Sequence, residues 1–418
     1  MTNNHPDVMQ GFPPQRESQV TFANYMQLPY STWGFRNTES VTHSSMVPRG
    51  GDLPVLKVAQ SDTFAERNVQ DANGEEMPLG RLLQKYCADG FLVLQGDTIA
   101  YEAYWNGFSE QQRHIWFSMT KSLVSTAFGI LMEEHDIDLN ASPAVYINEL
   151  KGSGFERTSL QQVLNHASAI AFKENYVDPE SEFFRYYAPA MGLAYLPGAQ
   201  DVQPADTEIY GVHDFLAKFI KQEDGSEPGA VFEYNSANAD LIGWIIARLS
   251  GMPLHDFIAD RIWSRLGTYH DAAIVVDRAY MPVATGGMLS TLRDAALFGR
   301  LILNRGKVNG QQIIPAHWVD ETLKIDENDR ERYSNNDLNQ GEAWKYYKNM
   351  WWILDADKGE YAAVGVHGQV IYINRSKELV IAQFSSQPTA SQVGSVEFRS
   401  KLGAIRQIAS QQTSMPRA

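Results

Sequence analysis

The sequence predicts an α+β fold in which an antiparallel sheet flanked by helices is built from both ends of the chain. Runs rich in β-branched and aromatic residues occur early in the chain and reappear only near its end, whereas helical segments occupy much of the sequence between them. We therefore expect an α/β domain made of residues 1–128 and 290–418, with an inserted helical domain at residues 129–289.

The first elements are a long arm and a hairpin. Residues 1–75 are rich in Pro, Asn, Ser and Gln, and their aromatic residues follow no period, so they predict an N-terminal arm that wraps the domain. The segment FLVLQGDTIAYEAYW (91–105) divides into two strand-like runs around Gly96 and Asp97, which is typical of a β-hairpin.

A buried helix follows the hairpin. From Ser118 to about Glu134 the residues are apolar nearly all round, the pattern of a core helix. Further helical segments include NADLIGWIIARLSG, which ends at Gly251 as helices commonly do. EYAAVGVHGQVIYIN and ELVIAQFSS then predict an antiparallel pair of strands around the polar RSK turn, and VGSVEFRSKLGAIRQIASQ predicts a terminal helix.

Composition and charge exclude several classes of function. The chain has 418 residues, is 44% hydrophobic and carries a formal charge of −15, which disfavours nucleic acids and anionic membranes as partners. A single cysteine, Cys87, excludes an intrachain disulfide, and the ten histidines form no metal-ligand spacing, so we expect neither a metal nor another cofactor. Because the sequence starts without a secretion-signal pattern, we expect a cytoplasmic protein.

The motif Ser118-Met-Thr-Lys121 lies at the start of the buried helix. About one Ser-x-x-Lys is expected by chance in a chain of this size, and a capping serine with a solvated lysine would be an ordinary helix start. In this position, however, the side chains at i and i+3 share a face, and the helix dipole favours developing negative charge at the serine. The pair is therefore a candidate nucleophile with the group that activates it.

Two further segments become informative together with this motif. Tyr234, in FEYNSANADLIGW, precedes an Asn/Ser-rich turn and could be an ordinary residue before a capped helix, or a tyrosinate held ionised by Lys121. In AAVGVHGQVIY, Gly365 and Gly368 interrupt a strand, which is typical of an edge bulge or of a backbone that approaches a substrate carbonyl. The sequence leaves open whether Lys121 or Tyr234 is the general base.

The ordered set of motifs resembles the serine β-lactamase and penicillin-recognising superfamily. It is most similar to the class C and esterase branch, and within that to the 6-aminohexanoate-dimer (nylon-oligomer) hydrolases, and the resemblance covers most of the chain. The matching segments include FLVLQGDTIAYEAYWNGF, FSMTKSL, ENYVDPESE, EYNSANADLIGWI, ATGGMLSTLRDAALFGRL and GVHGQ. The resemblance implies a β-lactamase/transpeptidase-like fold.

The resemblance also implies roles for individual residues. Ser118 is expected to be the nucleophile, Lys121 and Tyr234 the proton-handling pair, and the backbone N–H groups of Ser118 and Val366 the oxyanion hole. The remaining expected substrate-binding residues are Tyr176, which would reach over the substrate and donate to the leaving group, Trp352, which would wall the pocket, and Ser236, Tyr187 and His367.

Departures from the family pattern concern the groups that recognise substrates. Ser236 takes the place of the amide side chain of the usual Tyr-x-Asn, and Ala363-Val364-Gly365 occupies the slot of the cationic Lys-Thr-Gly or His-Thr-Gly triplet. In an alternative register, His367-Gly368-Gln369 would fill that slot. Position 187, which is acidic in the family's amide-cleaving members, is a tyrosine.

Together these features predict a serine hydrolase that cleaves small esters, and less readily linear amides, through an acyl-enzyme on Ser118. A β-lactamase or D-alanyl-D-alanine peptidase is one alternative, although it normally requires the cationic strand residue and export. A non-catalytic penicillin-binding-type receptor is the other. A small-molecule substrate and a monomer or homodimer are expected, without nucleic acid or membrane partners.

Overall fold

The computed structural model describes residues 8–61, 63–176, 178–193, 208–335, 344–390 and 395–412. Residues 1–7 of the predicted arm lie outside these ranges. The strands of the described residues are β1 (Ser44–Val47), β2 (Lys57–Val58), β3 (Asn68–Gln70), β4 (Glu76–Pro78), β5 (Ala88–Gln95), β6 (Thr98–Tyr104), β7 (His114–Ile115), β8 (Ala272–Val275), β9 (Met288–Ser290), β10 (Lys307–Val308), β11 (Gln311–Gln312), β12 (Tyr346–Lys348), β13 (Trp351–Asp355), β14 (Glu360–Gly365), β15 (Gln369–Asn374) and β16 (Leu379–Ser385).

The α-helices of the same residues range from one turn to more than four turns. They are α1 (Ser31–Gly34), α2 (Leu79–Lys85), α3 (Met119–Glu134), α4 (Leu160–Leu164), α5 (Ala188–Ala190), α6 (Val212–Asp214), α7 (Ala237–Ser250), α8 (Leu254–Ile258), α9 (Ser264–Leu266), α10 (Leu292–Leu303), α11 (Ala316–Glu321), α12 (Glu327–Ser334) and α13 (Val396–Gln411). Three π-helical turns continue these helices at Phe183–Tyr187, Phe215–Phe219 and Ala259–Trp263.

The main sheet joins the two ends of the chain. Its eight strands follow the order β12-β13-β14-β15-β16-β5-β6-β2, and β16 pairs antiparallel with β5. The predicted hairpin is present as β5 and β6, with Gln95 opposite Thr98. Every described pair in this sheet is antiparallel except β2 with β6, which is parallel.

The central strands are buried along their whole length. All residues of β5, β14, β15 and β16 are buried, so helices must cover this sheet on both faces. Helix α10 packs on β16, β15 and β5, and Gly299 permits its close approach, because a Cβ there would lie 2.6 Å from Val380 and 2.8 Å from Ile371. Helix α2 packs on β5, and α13 packs on α2.

The late strands differ from the sequence prediction in one respect. EYAAVGVHGQVIYIN forms two strands, β14 and β15, which a short 3₁₀ turn at Val366–Gly368 separates. The break arises because His367 adopts a left-handed backbone conformation, with φ of 62°. Three strands therefore stand where the sequence predicted a pair, and the predicted terminal helix follows them as α13.

The segment predicted to form the helical domain contains α4 to α9 and the last turns of α3, from Gly129 to Glu134. It also contains strands, since β8 and the first residues of β9 lie within residues 129–289. These strands join β1 and β7 in a second sheet of order β1-β8-β9-β7. The description of this segment as all-helical is therefore corrected, whereas the domain boundaries stay predictions.

None of the helices in the described ranges is long and apolar enough to span a bilayer. Over the same residues, no group of three or more His, Cys, Asp or Glu side chains is arranged to hold a metal ion.

Candidate active site

Ser118 lies at the junction of β7 and the buried helix α3. The preceding Phe117 has a left-handed backbone with φ of 47°, an uncommon conformation for a bulky residue that makes a sharp turn into the helix. Ser118 makes no side-chain capping bond to the helix. Its Oγ instead accepts a hydrogen bond of 2.8 Å from the Nζ of Lys121, so the two side chains meet as their i, i+3 spacing predicts.

Lys121 is held in the interior next to the serine. Its side chain is buried, with the residue 1% exposed, and its Nζ also donates to the carbonyl of Thr285 at 2.9 Å. Burial lowers the pKa of Lys121 to about 8, although the negative charges of Glu174 and Asp240 oppose the shift. About a tenth of this amine is therefore neutral at pH 7, far more than for an ordinary lysine, and the neutral form is the one that a general base requires.

Tyr234 brings its ring to the same lysine. The Lys121 Nζ lies 5.1 Å from the ring centroid, and the ring of Trp352 stacks on that of Tyr234 at 5.6 Å with an interplanar angle of 16°. His166 also packs against Tyr234, with ring centroids 5.0 Å apart, and its Nδ1 accepts the backbone N–H of Asn235. Burial first, and the charge of Lys121 second, hold the pKa of His166 well below its usual value, so this imidazole is neutral.

The end of β14 approaches Ser118 through a glycine. A Cβ on Gly365 would lie 2.2 Å from the carbonyl oxygen of Trp116, so only glycine lets the strand approach the β7–α3 junction this closely. Val366 follows it, and both Val366 and Ser118 line a small cavity of about 20 Å³. The two backbone positions expected to form the oxyanion hole therefore border the same space.

The cavity gathers three of the other five residues predicted to bind substrate. Tyr176, Tyr187 and Ser236 are among its lining residues, which are Phe117, Ser118, Tyr176, Phe183, Tyr187, Met191, Leu193, Ser236, Thr285, Gly286 and Val366. Trp352 is not among them, and neither is Tyr234, on whose ring it stacks.

His367 is not among the lining residues either. Its ring turns back into the protein, where Nδ1 lies 2.8 Å from the carbonyl oxygen of Gln387 and the ring packs on Phe35 and Phe117. The left-handed conformation of this residue directs the side chain away from the cavity. The structure therefore corrects the expectation that His367 faces a substrate there.

Glu174 is a functional candidate that no sequence motif indicated. One carboxylate oxygen accepts the backbone N–H of Ser236 at 2.5 Å, and the other accepts the hydroxyl of Tyr176 at 2.9 Å. It thus connects the loop of Tyr176 to the start of α7. Its position two residues before Tyr176 in ENYVDP was the available signal, but a glutamate in a loop carries no motif of its own.

Gly365→Ala is expected to damage the site through the backbone. Because the new Cβ would meet the Trp116 carbonyl, β14 must shift and carry Val366 with it. We expect kcat/KM for p-nitrophenyl acetate to fall at least about tenfold and the free energy of unfolding to fall by about 1–3 kcal/mol. Steady-state kinetics and urea unfolding measure these effects.

Gly403→Ala is the matched control. Gly403 lies inside α13, and the nearest atom to an added Cβ is 4.0 Å away. We expect unchanged kinetics and a gain of about 0.5–1 kcal/mol in stability. A Gly365→Ala protein with full activity would contradict the placement of this strand at the reaction centre.

The chain is similar to known proteins over most of its length. The family model described as beta-lactamase matches residues 83–403. The 6-aminohexanoate-dimer hydrolase of Paenarthrobacter ureafaciens is 30% identical over 389 residues, which are 93% of this chain and 92% of that protein.

Solved structures agree with this comparison. A Bacillus anthracis protein provisionally named a 6-aminohexanoate-dimer hydrolase superimposes with a TM-score of 0.80 at 28% identity, over 95% of this chain and 97% of the other. A family VIII carboxylesterase gives a TM-score of 0.54 at 17% identity, over 78% of this chain and 96% of that one, which is a likeness in fold alone. The predicted fold class is thereby confirmed.

Proposed function

The chain belongs to the β-lactamase family and is a serine hydrolase, and from that premise we propose that it cleaves small esters, and less readily linear amides, through an acyl-enzyme on Ser118. The observation that carries this proposal is the hydrogen bond of 2.8 Å from the buried Lys121 Nζ to the partly buried Ser118 Oγ at the wall of a small cavity. A cytoplasmic location and a monomeric or homodimeric state stay predictions.

The proposed acylation step uses the groups around Ser118. Its Oγ attacks the carbonyl carbon while its proton passes to the pair of Lys121 and Tyr234. The oxyanion forms between the backbone N–H groups of Ser118 and Val366, each of which would stabilise it by about 3–4 kcal/mol. The pair then protonates the departing alkoxide or phenolate, which leaves with less assistance than an amine does.

Deacylation reverses the same proton path with water as the nucleophile. Tyr176 covers the cavity in this scheme. Its hydroxyl proton is directed at Glu174, so donation to a leaving group requires that bond to open. Tyr187 and Ser236 wall the space, and Trp352 stacks on Tyr234.

The small size of the cavity favours substrates with short acyl groups. A volume of about 20 Å³ accommodates about one water molecule. The aromatic and aliphatic walls, including Phe183 and Leu193, favour an uncharged acyl group of one or two carbons beyond the carbonyl. Tyr187 supplies no carboxylate to pair with an ammonium at the end of an aminohexanoyl group.

The activity of the wild-type protein is expected to depend on the ionisation of Lys121. With a pKa of about 8 and a direct bond to Ser118, Lys121 is expected to act as the base in its neutral form. The neutral fraction grows as the pH rises, so kcat/KM should increase through an inflection near pH 8 and then level off. A profile for p-nitrophenyl acetate, corrected for spontaneous hydrolysis, measures this. A decrease above that pH would instead assign Lys121 the role of a cation that holds Tyr234 ionised.

A substrate panel tests the proposed class. We expect turnover of p-nitrophenyl acetate, a fall with butyrate and octanoate esters, slower cleavage of linear amides including the 6-aminohexanoate dimer, and no rapid turnover of nitrocefin. Intact-protein and peptide mass spectrometry should locate a transient acyl group on Ser118. Rapid nitrocefin hydrolysis would contradict the proposal in favour of a β-lactamase, and a stable adduct without steady-state turnover would favour a receptor.

A further inference from the structure

A second carboxylate lies directly behind the candidate active site. Asp240, on the first turn of α7, is 3% exposed, and neither of its oxygens is bonded to a cation among the described residues. One oxygen accepts the backbone N–H of Thr285 at 2.9 Å, and the other accepts the hydroxyl of Tyr187. The carboxylate therefore ties together two residues that both line the cavity over Ser118.

Thr285 connects Asp240 to Lys121, the proposed base, through a second hydrogen bond. The N–H of Thr285 is held by Asp240, and the carbonyl of the same residue accepts the Nζ of Lys121 at 2.9 Å. That nitrogen in turn donates to Ser118. A continuous buried chain of hydrogen bonds thus connects Tyr187, Asp240, Thr285, Lys121 and Ser118.

We propose that Asp240 is a positioning residue of the active site, which fixes the Thr285 carbonyl against Lys121 and clamps Tyr187 in the wall of the acyl pocket. The inference rests on the proposed function, since it assigns Asp240 an effect on the reaction of Ser118. It also accounts for the tyrosine at position 187, because the hydroxyl of Tyr187 covers this carboxylate. Above pH 7 this carboxylate is mostly ionised, so a negative charge lies one layer behind the cavity, where it acts on Lys121 and not on the substrate.

The groups around Asp240 determine the pKa of its carboxyl group. The pKa of Asp240 is raised to about 7, mainly by burial and to a lesser extent by the charge of Asp277, against the lowering effect of the bonds from Tyr187 and Thr285 and the charge of Lys121. On its outer side, a cavity of about 310 Å³ also touches Asp240, and the ionisable side chains lining that cavity are His213 and Arg248.

Lys121 itself is faced by few charged groups. Among the described residues, the charges that act on its pKa are those of Glu174 and, second, Asp240, both of which raise it; the neighbouring His166 is neutral, and Tyr234 faces the amine with its ring. Loss of the Asp240 charge should therefore lower the pKa of Lys121. In a variant without that charge, the inflection of the kcat/KM–pH profile should therefore move to lower pH than in the wild type.

Asp240→Asn tests the proposal, because the amide keeps the shape and the acceptor for Thr285 while removing the charge. We expect the inflection assigned to Lys121 to shift to lower pH by about half a unit or more. The plateau kcat for p-nitrophenyl acetate should fall on the order of tenfold with KM within about twofold, because positioning of the base affects the chemical step.

Two further variants keep the test decisive. Tyr187→Phe removes only the hydroxyl donor and should shift the inflection in the same direction by a smaller amount, even if Asp240→Asn does not fold. Asp294→Asn is the matched control: Asp294 is equally buried and accepts the backbone N–H groups of Tyr269 and His270, but it lies on the first turn of α10, next to the N-cap Thr291, and does not line the cavity. It should leave the pH profile unchanged.

The outcomes separate this inference from the proposed function. An Asp240→Asn enzyme with the wild-type pH profile and kcat, or an equal loss in Asp294→Asn, would overturn the role of Asp240 while leaving acylation of Ser118 intact. Undiminished turnover in a protein lacking the Ser118 hydroxyl would instead overturn the proposed function itself.

Discussion

Ser118→Ala is expected to reduce kcat/KM for p-nitrophenyl acetate by at least about 10³-fold, because the variant has no hydroxyl at the cavity to form an acyl-enzyme. The remaining rate would come from the oxyanion donors and from binding alone. The same variant should take up no acyl group in mass spectrometry, whereas the wild type does.

Ser125→Ala provides the matched control for this variant. Ser125 lies on the same helix α3, and its hydroxyl is buried without a hydrogen-bond partner in the structure, so its removal leaves no acceptor or donor unpaired. We expect wild-type kinetics. If Ser118→Ala retained more than about a tenth of wild-type activity, Ser118 would not be the nucleophile.

Lys121→Met is expected to cause a loss of similar size, on the order of 10³-fold in kcat. Methionine is unbranched and apolar, so it can occupy the buried space, but it can neither accept the proton of Ser118 nor donate to the Thr285 carbonyl. Labelling of Ser118 by an activated ester should slow to the same extent. A cooperative unfolding transition, followed by circular dichroism, verifies that the variant is folded.

Lys121→Arg separates the two roles proposed for this position. Arginine keeps a positive charge but does not deprotonate in proteins, so it should be as inactive as Lys121→Met if the neutral amine is the base. Substantial activity in the arginine variant would mean that the charge alone is required, with Tyr234 as the base.

The sequence predicted the parts of the fold that local patterns specify. The hairpin of β5 and β6 and the buried helix α3 follow from short-range periodicity, and both are present. The break between β14 and β15 was marked only by Gly365 and Gly368, because the left-handed His367 that makes the break packs its ring on Phe35 and Phe117, which are distant in sequence. The helical description of residues 129–289 was wrong for the same reason, since the short strand β8 is stabilised by pairing with β1.

The residues of the candidate site also differ in whether the sequence could indicate them. The family motifs indicated Ser118, Lys121 and Tyr234, which the structure places together. Glu174 and Asp240 lie in the matching segments ENYVDPESE and EYNSANADLIGWI, but they were missed because each acts on a partner far along the chain, 62 and 45 positions away. Only the folded chain brings such carboxylates next to a lysine.

The pairing of β5 with β16 has a consequence for biosynthesis. Residue Leu379 lies opposite Gln95, so the centre of the main sheet cannot form until nearly the whole chain has been translated. At roughly 5–20 residues per second, β5 and β6 wait on the order of 15–60 s with one apolar edge unpaired. During that interval the hairpin is a template for pairing with other chains. We therefore expect C-terminal truncations that remove β16 to accumulate in inclusion bodies, even though Ser118, Lys121 and Tyr234 are all present.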